Sequence, residues 1–212
     1  MTKLKTLLCL SAVAAFAAVP ARAAVISFSH TSAINPAPFT DNFTLSSFDS
    51  NLGTLQSIEI IVTSSATANV GIFNATAGTL AFTNAQATIP VAITTPLSVV
   101  NQTLTAGPFS GNAASGNNNF PGITGTSTYD AFVGAGNFST FEVPGGSNQS
   151  YSVVVGTGNY SGTSAGGLFF GGSATAGGTT QIIYTYDAPE PMSLALLGLG
   201  LAGLGAVRRR RG

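Results

Sequence analysis

Side chains able to do chemistry are scarce in the long middle of this sequence. Between Ala24 and Ala188 the acids are Asp41, Asp49, Glu59, Asp130, Glu142 and Asp187, joined by one histidine, His30, and by no lysine, arginine, cysteine or tryptophan. That inventory removes most reaction types. It offers no His/Cys cluster for zinc, no lysine for a Schiff base and no cation to clamp an anionic substrate. Glycoside hydrolysis needs only two carboxyls about 5 to 10 Å apart, and a hairpin could bring Asp130 to Glu142 or Asp41 to Asp49. Only proximity supports either pair. Turn caps and solvated strand positions are the preferred reading of all four acids, and a surface or strand-end position is that of His30.

Two motifs look catalytic until their context is read. Gly162-Thr163-Ser164-Ala165-Gly166 has the G-x-S-x-G form of a nucleophile elbow, but that elbow needs a strand-to-helix turn and a histidine after the serine. Here His30 lies far upstream. Gly156, Gly158 and Gly162 approximate a dinucleotide fingerprint, yet the last spacing is off by one, no helix follows and no acid stands about twenty residues on. With 26 glycines in the chain, both arise easily by chance. Asp49, Asn51 and Gly53 make a turn able to bond its own backbone, calcium ligation being the other reading. No catalytic residue, cofactor-binding residue or metal ligand is assigned.

The elements around these residues alternate with period two. Ile58, Ile60 and Val62 share one strand face, and so do Ile89, Val91 and Ile93, then Tyr151, Val153 and Val155, then Ile182, Tyr184 and Tyr186. Strands are expected near Val25–Ser29, Phe39–Leu45, Leu55–Ser64, Ala68–Asn74, Leu80–Thr83, Thr88–Thr94 and Leu97–Leu104, and again near Tyr129–Val133, Thr140–Val143, Tyr151–Val155, Leu168–Phe170 and Thr180–Asp187. Helical periodicity is nowhere sustained. Pro90 lacks a ladder donor, which predicts a sheet edge for its strand. Gly107–Thr128 reads as a long surface loop from its glycine and asparagine content, and Gly156–Gly178 as a similar one holding a short strand. Many short strands with turn residues between them predict an all-β, antiparallel sandwich or jelly roll, with Ile58, Ile60, Val62, Val153, Val155, Ile182 and Tyr184 in its core. Of the chain's fourteen phenylalanines all but Phe16 lie in the domain, and with five tyrosines they are enough to fill it.

Charge is distributed so that the ends and the middle differ. The overall formal charge is zero, yet the middle carries six acids and no base. Such a surface cannot neutralise phosphates, which excludes nucleic acid and electrostatic attachment to anionic lipid. The bases sit at the termini. Lys3 and Lys5 precede an apolar stretch from Leu7 to Val19, followed by Ala21-Arg22-Ala23, the pattern of a secretory signal peptide cut by signal peptidase between Ala23 and Ala24. Cys9, the only cysteine, falls within that leader. Residues 1–23 are therefore a signal peptide and 24–188 one domain of about 165 residues.

At the other end Pro189-Glu190-Pro191 precedes an apolar run from Met192 to Val207 and then Arg208, Arg209, Arg210 and Arg211. Sixteen residues of helix span about 24 Å, short of a bilayer core by an amount that arginine snorkelling accommodates. Four arginines resist translocation and stay cytoplasmic, leaving Pro189 outside. Residues 189–212 resemble the PEP-CTERM sorting tail. The resemblance implies an exosortase as processing partner, transient anchoring through residues 192–207, and a surface or matrix role in bacteria that make exopolysaccharide.

A second resemblance lies in Phe48-Asp49-Ser50-Asn51-Leu52-Gly53-Thr54-Leu55 and in Tyr184-Thr185-Tyr186. These are similar to the choice-of-anchor E surface domains, with Ser50 where proline is usual. That family has no assigned chemistry. The expectation is a non-enzymatic exported protein. The alternatives are a carbohydrate-binding module stacking sugars on Phe109, Phe120, Tyr129 and Tyr160, a glycosidase-like enzyme, and a glycoprotein decorated at sequons such as Asn42-Phe43-Thr44.

Overall fold

Alternation is unbroken from Ile58 to Asn74, past a register shift between Leu55 and Ser57, and the result is one strand of twenty-one residues where the sequence suggests two. Its even-numbered side chains from Ile58 to Asn74 are buried, while Thr63, Thr67, Asn69 and Phe73 face out. The computed structural model describes residues 23–189, so residues 1–22, Glu190, Pro191 and the run to Arg211 lie outside the described residues. The strands are β1 (Ala23–Pro36), β2 (Phe39–Ser46), β3 (Phe48–Asp49), β4 (Thr54–Asn74), β5 (Leu80–Thr94), β6 (Val99–Ala113), β7 (Gly116–Phe132), β8 (Glu142–Val143), β9 (Asn148–Val155), β10 (Asn159–Ser164) and β11 (Leu168–Asp187). Two short 3-10 turns, Ser50–Leu52 and Ala135–Thr140, are the only helical pieces among the described residues.

Two antiparallel sheets enclose the core. One has the order β1-β11-β4-β7, and the other β10-β5-β9-β2 with β6 also on β5. Ile58, Ile60, Val62, Ile182 and Tyr184 come from the first sheet, and Phe82, Ile89, Ile93, Leu104, Val153 and Val155 from the second, in one buried cluster. All seven core residues expected from the sequence are buried there. Burying each Ile or Val side chain contributes about 1.5 to 3 kcal/mol before chain entropy is subtracted.

Three expectations are corrected. Gly107–Thr128 is not a loop: it holds the end of β6, a two-residue turn and most of β7, which pairs with β4 from Asn74↔Gly116 to Glu59↔Phe132. Glycine here serves close packing, since a Cβ on Gly125 would collide with the Thr105 carbonyl. Half-buried Phe120 and Ile123 anchor the strand to the core. Gly156–Gly178 is likewise mostly β10 and the first half of β11. Gly162 lies under the Phe170 ring, and Gly178 against the backbone of Thr63 and Ser64.

Pro90, finally, sits within a central strand. β5 pairs with β6 on one side throughout, but on the other side β10 stops at Thr88 and β9 begins at Val91. Pro90 occupies that interval, so the missing N–H is tolerated without an edge. Gly156 passes beside it and donates its N–H to the Pro90 carbonyl at 2.8 Å.

Candidate functional site

The ionisable residues fall into three separate arrangements. Of the surface or strand-end position expected for His30, the strand end is corrected, since it lies mid-strand with its ring partly exposed: it stacks on Phe43 at 4.0 Å and bonds Asp41 Oδ2 through Nε2 at 2.8 Å. Hydrogen bonds from Ser32 and His30 hold the Asp41 carboxyl below its ordinary range. Asp49 caps the 3-10 turn, its Oδ1 accepting from the backbone N–H of Asn51 at 2.9 Å and of Gly145 at 2.7 Å. Both bonds favour the ionised form and lower its pKa.

The carboxyl pairs weighed in the sequence are placed on different elements. Asp130 belongs to β7 and Glu142 to β8, while Asp41 bonds His30 and Asp49 a turn. The acids that do neighbour each other are Glu59 and Asp130, a pair sequence reasoning missed. Their strands register Glu59 against Phe132 and Ile61 against Asp130, making the acids diagonal neighbours. Glu59 is shifted up, first by desolvation and then by the Asp130 charge. The pair lies on the outward face of the sheet, where water reaches both. Among the described residues no three His, Cys, Asp or Glu gather as a metal site.

The serine of Gly162-Thr163-Ser164-Ala165-Gly166 ends β10 and leads through a turn into β11, another strand, and its Oγ accepts from the Gly166 N–H at 3.4 Å. That is turn chemistry, and the geometry of a nucleophile elbow is missing.

The densest convergence is where the last strand leaves the sheet. Asp187 pairs with Ala23 at the start of β1 and with Thr54 at the start of β4. Gln56 Nε2 donates to Asp187 Oδ2 at 2.8 Å, and Gly53, at φ +148°, leaves no room for a Cβ beside the Asp187 carbonyl. Fully buried Phe48 packs on Tyr184 and Tyr186 at 5.8 and 5.0 Å, and Tyr184 donates its hydroxyl to the Ser46 carbonyl. The Phe48–Leu55 turn and the Tyr184–Tyr186 strand thus form one unit at the base of the tail. Ala23 and Ala24 begin β1, and exposed Pro189 is the last described residue.

Residues 187–211 match the PEP-CTERM protein-sorting motif. The chain carries an exosortase-type sorting tail. The PEP-CTERM match opens at Asp187, the last residue of β11. It implies export, membrane-anchored sorting and processing by an exosortase. No helix among the described residues is long and apolar enough to cross a membrane, and the 192–207 run lies outside them. No curated protein matches the sequence. Two solved structures share weak similarity: one of infectious bursal disease virus Gx strain (11% identity, TM-score 0.20, covering 80% of this chain and 37% of that one) and one of the Gt strain (14%, 0.17, covering 88% and 48%). The chain spans less than half of either.

Aromatic placement differs from the sequence expectation. Phe109, Phe120, Tyr129 and Tyr160 are half-buried against the core, the first two packed edge-on around Phe82. They form no outward row. Phe73 and Phe169, which the sequence reading passed over, are 46% and 64% exposed and lie opposite each other on β4 and β11. Their odd-numbered, outward register was legible in the alternation.

Proposed function

We propose that this chain is an exported, non-enzymatic bacterial surface or matrix protein, released from signal peptidase at Ala23/Ala24, anchored through residues 192–207 and processed by an exosortase at Pro189-Glu190-Pro191. One observation carries the reading: the PEP-CTERM match opens on the final residue of the final strand, so the sorting tail follows the folded domain without a linker. The ends of β1 and β11 are paired, which would hold both processing sites at one pole. The choice-of-anchor E resemblance draws support from the packing of its two motif segments, Phe48–Leu55 and Tyr184–Tyr186, against each other. A role in an exopolysaccharide or biofilm matrix follows from the resemblance of the tail.

Intact-mass analysis of protein recovered from cells and from medium tests the reading. Two mass losses are expected, one matching removal of residues 1–23 and one a cut near Glu190. Neutralising Arg208 to Arg211, or Glu190→Gln, should abolish the C-terminal loss or misdirect the protein. An unchanged C-terminal mass and normal delivery in both variants would refute it.

A further inference from the structure

At the pole remote from the tail, the outward face of the four-stranded sheet carries a groove of about 500 Å³. Its walls are the rings of Phe73 and Phe169, 6.3 Å apart and tilted by 33°, and the exposed side chains of Asn117 and Asn119. Register places these in two rows across β11, β4 and β7: Phe169, Phe73, Asn117, then Gly171, Gly71, Asn119. The glycine pair is the decisive feature. A Cβ on Gly171 would meet nothing within 4 Å, and one on Gly71 only ordinary contacts. Packing does not demand glycine at either position, and both sit inside long strands where glycine weakens the fold; such positions often mark a bulge, a bend or close approach by a ligand or another backbone, and β11 and β4 pair here without a register shift. The neighbouring Asn118 points elsewhere, its amide donating to the Ala114 and Gly116 carbonyls, whereas those of Asn117 and Asn119 bond nothing among the described residues.

We infer that this groove binds an uncharged polysaccharide chain. A sugar ring has an apolar C–H face, which suits an exposed aromatic, and an equatorial rim of hydroxyls, which suits carboxamides that both donate and accept. The volume falls within the range of small-ligand sites. Charge selects the neutral class: the described residues hold six acids and no base to pair a uronate or sulfate, and the nearest acids on these strands, Glu59 and Asp130, stand roughly 40 Å along β4 from the groove. Beyond the glycine row the same face continues in hydroxyls, with Thr175, Thr67 and Thr124 aligned across three strands. A chain laid along the strands would meet donors past its first units. The inference deepens the matrix role proposed above and rests on it.

The test is affinity electrophoresis of the full chain, in a detergent without a sugar headgroup, through gels carrying laminarin, hydroxyethylcellulose, dextran or, as anionic contrast, alginate. Retardation by at least one neutral glucan and none by alginate is expected. Phe73→Ala and Phe169→Ala should each weaken it about tenfold or more. Gly171→Thr should weaken it equally while leaving the melting temperature unchanged or higher, which separates groove filling from unfolding. No retardation by any neutral glucan, retention by alginate, or undiminished binding by the three variants would overturn the site. So would self-association of the chain abolished by Phe73→Ala, which would assign the groove to a second copy. Tail processing is read by mass, so a glycan-blind but normally processed protein overturns this site alone.

Discussion

The same three strands, β1 apart, end in opposite ways at the two poles of the four-stranded sheet. At the tail pole Phe48 is fully buried between tyrosines, and Gly53 is fixed by the Asp187 carbonyl. At the groove pole Phe73 and Phe169 stand in solvent, and a Cβ would meet open space at Gly171 and only ordinary contacts at Gly71. Identical residue types serve closure at one end and access at the other. The difference teaches that the tail leaves the domain beside a buried aromatic and a glycine held by its neighbour's backbone, while the opposite pole keeps the same residue types exposed.

The comparison breaks first at the phenylalanines. Phe48→Ala should cost about 3 to 5 kcal/mol, whereas Phe73→Ala should stay within about 0.5 kcal/mol, measured by chemical denaturation of the full chain. Equal losses would mean that Phe73 is structural. The glycines come next. Gly53→Ala should destabilise by about 1 to 3 kcal/mol, since φ +148° and the Asp187 carbonyl both oppose a side chain. Gly171→Thr should instead stabilise by about 0.5 to 1 kcal/mol through strand propensity.

The smallest effects are electrostatic and have opposite signs with pH. Glu59 is desolvated beside Phe132 and Ile183 and repelled by Asp130, so its folded pKa lies above 4.5. A raised carboxyl contributes stability at low pH and loses it as pH rises through the folded value. Glu59→Gln should therefore raise the melting temperature at neutral pH and leave it unchanged near pH 3.5. Asp49, lowered by two backbone N–H bonds, behaves in reverse. Its contribution is present above 3.8 and fades as pH falls through the lower folded value, so Asp49→Asn should be damaging at neutral pH and neutral in strong acid. Parallel profiles for the two variants would refute the assignment of the shifts.

Much of this was legible in the sequence because burial leaves a period-two record in a strand. Ile58, Ile60 and Val62 needed only alternation to be placed, and the Asp49 turn only its own side-chain chemistry. The glycine-rich stretches were misread because composition reports backbone freedom and cannot report what the backbone lies against. Gly125, Gly162 and Gly178 sit in strands where another chain segment passes too close for a Cβ. Pro90 was misread for the same reason, since the interval between β9 and β10 that accepts it is made by distant residues.

By itself the sequence determined the all-β class, the acid-only charge of the domain and the sorting tail, for each is written in local composition or short-range periodicity. Only the tertiary structure decided which carboxyls neighbour each other, which outward aromatics meet across strands and which glycines could carry a side chain. Those properties depend on register between strands as far apart as Gly71 and Gly171, and register is set by the packing of the whole sheet.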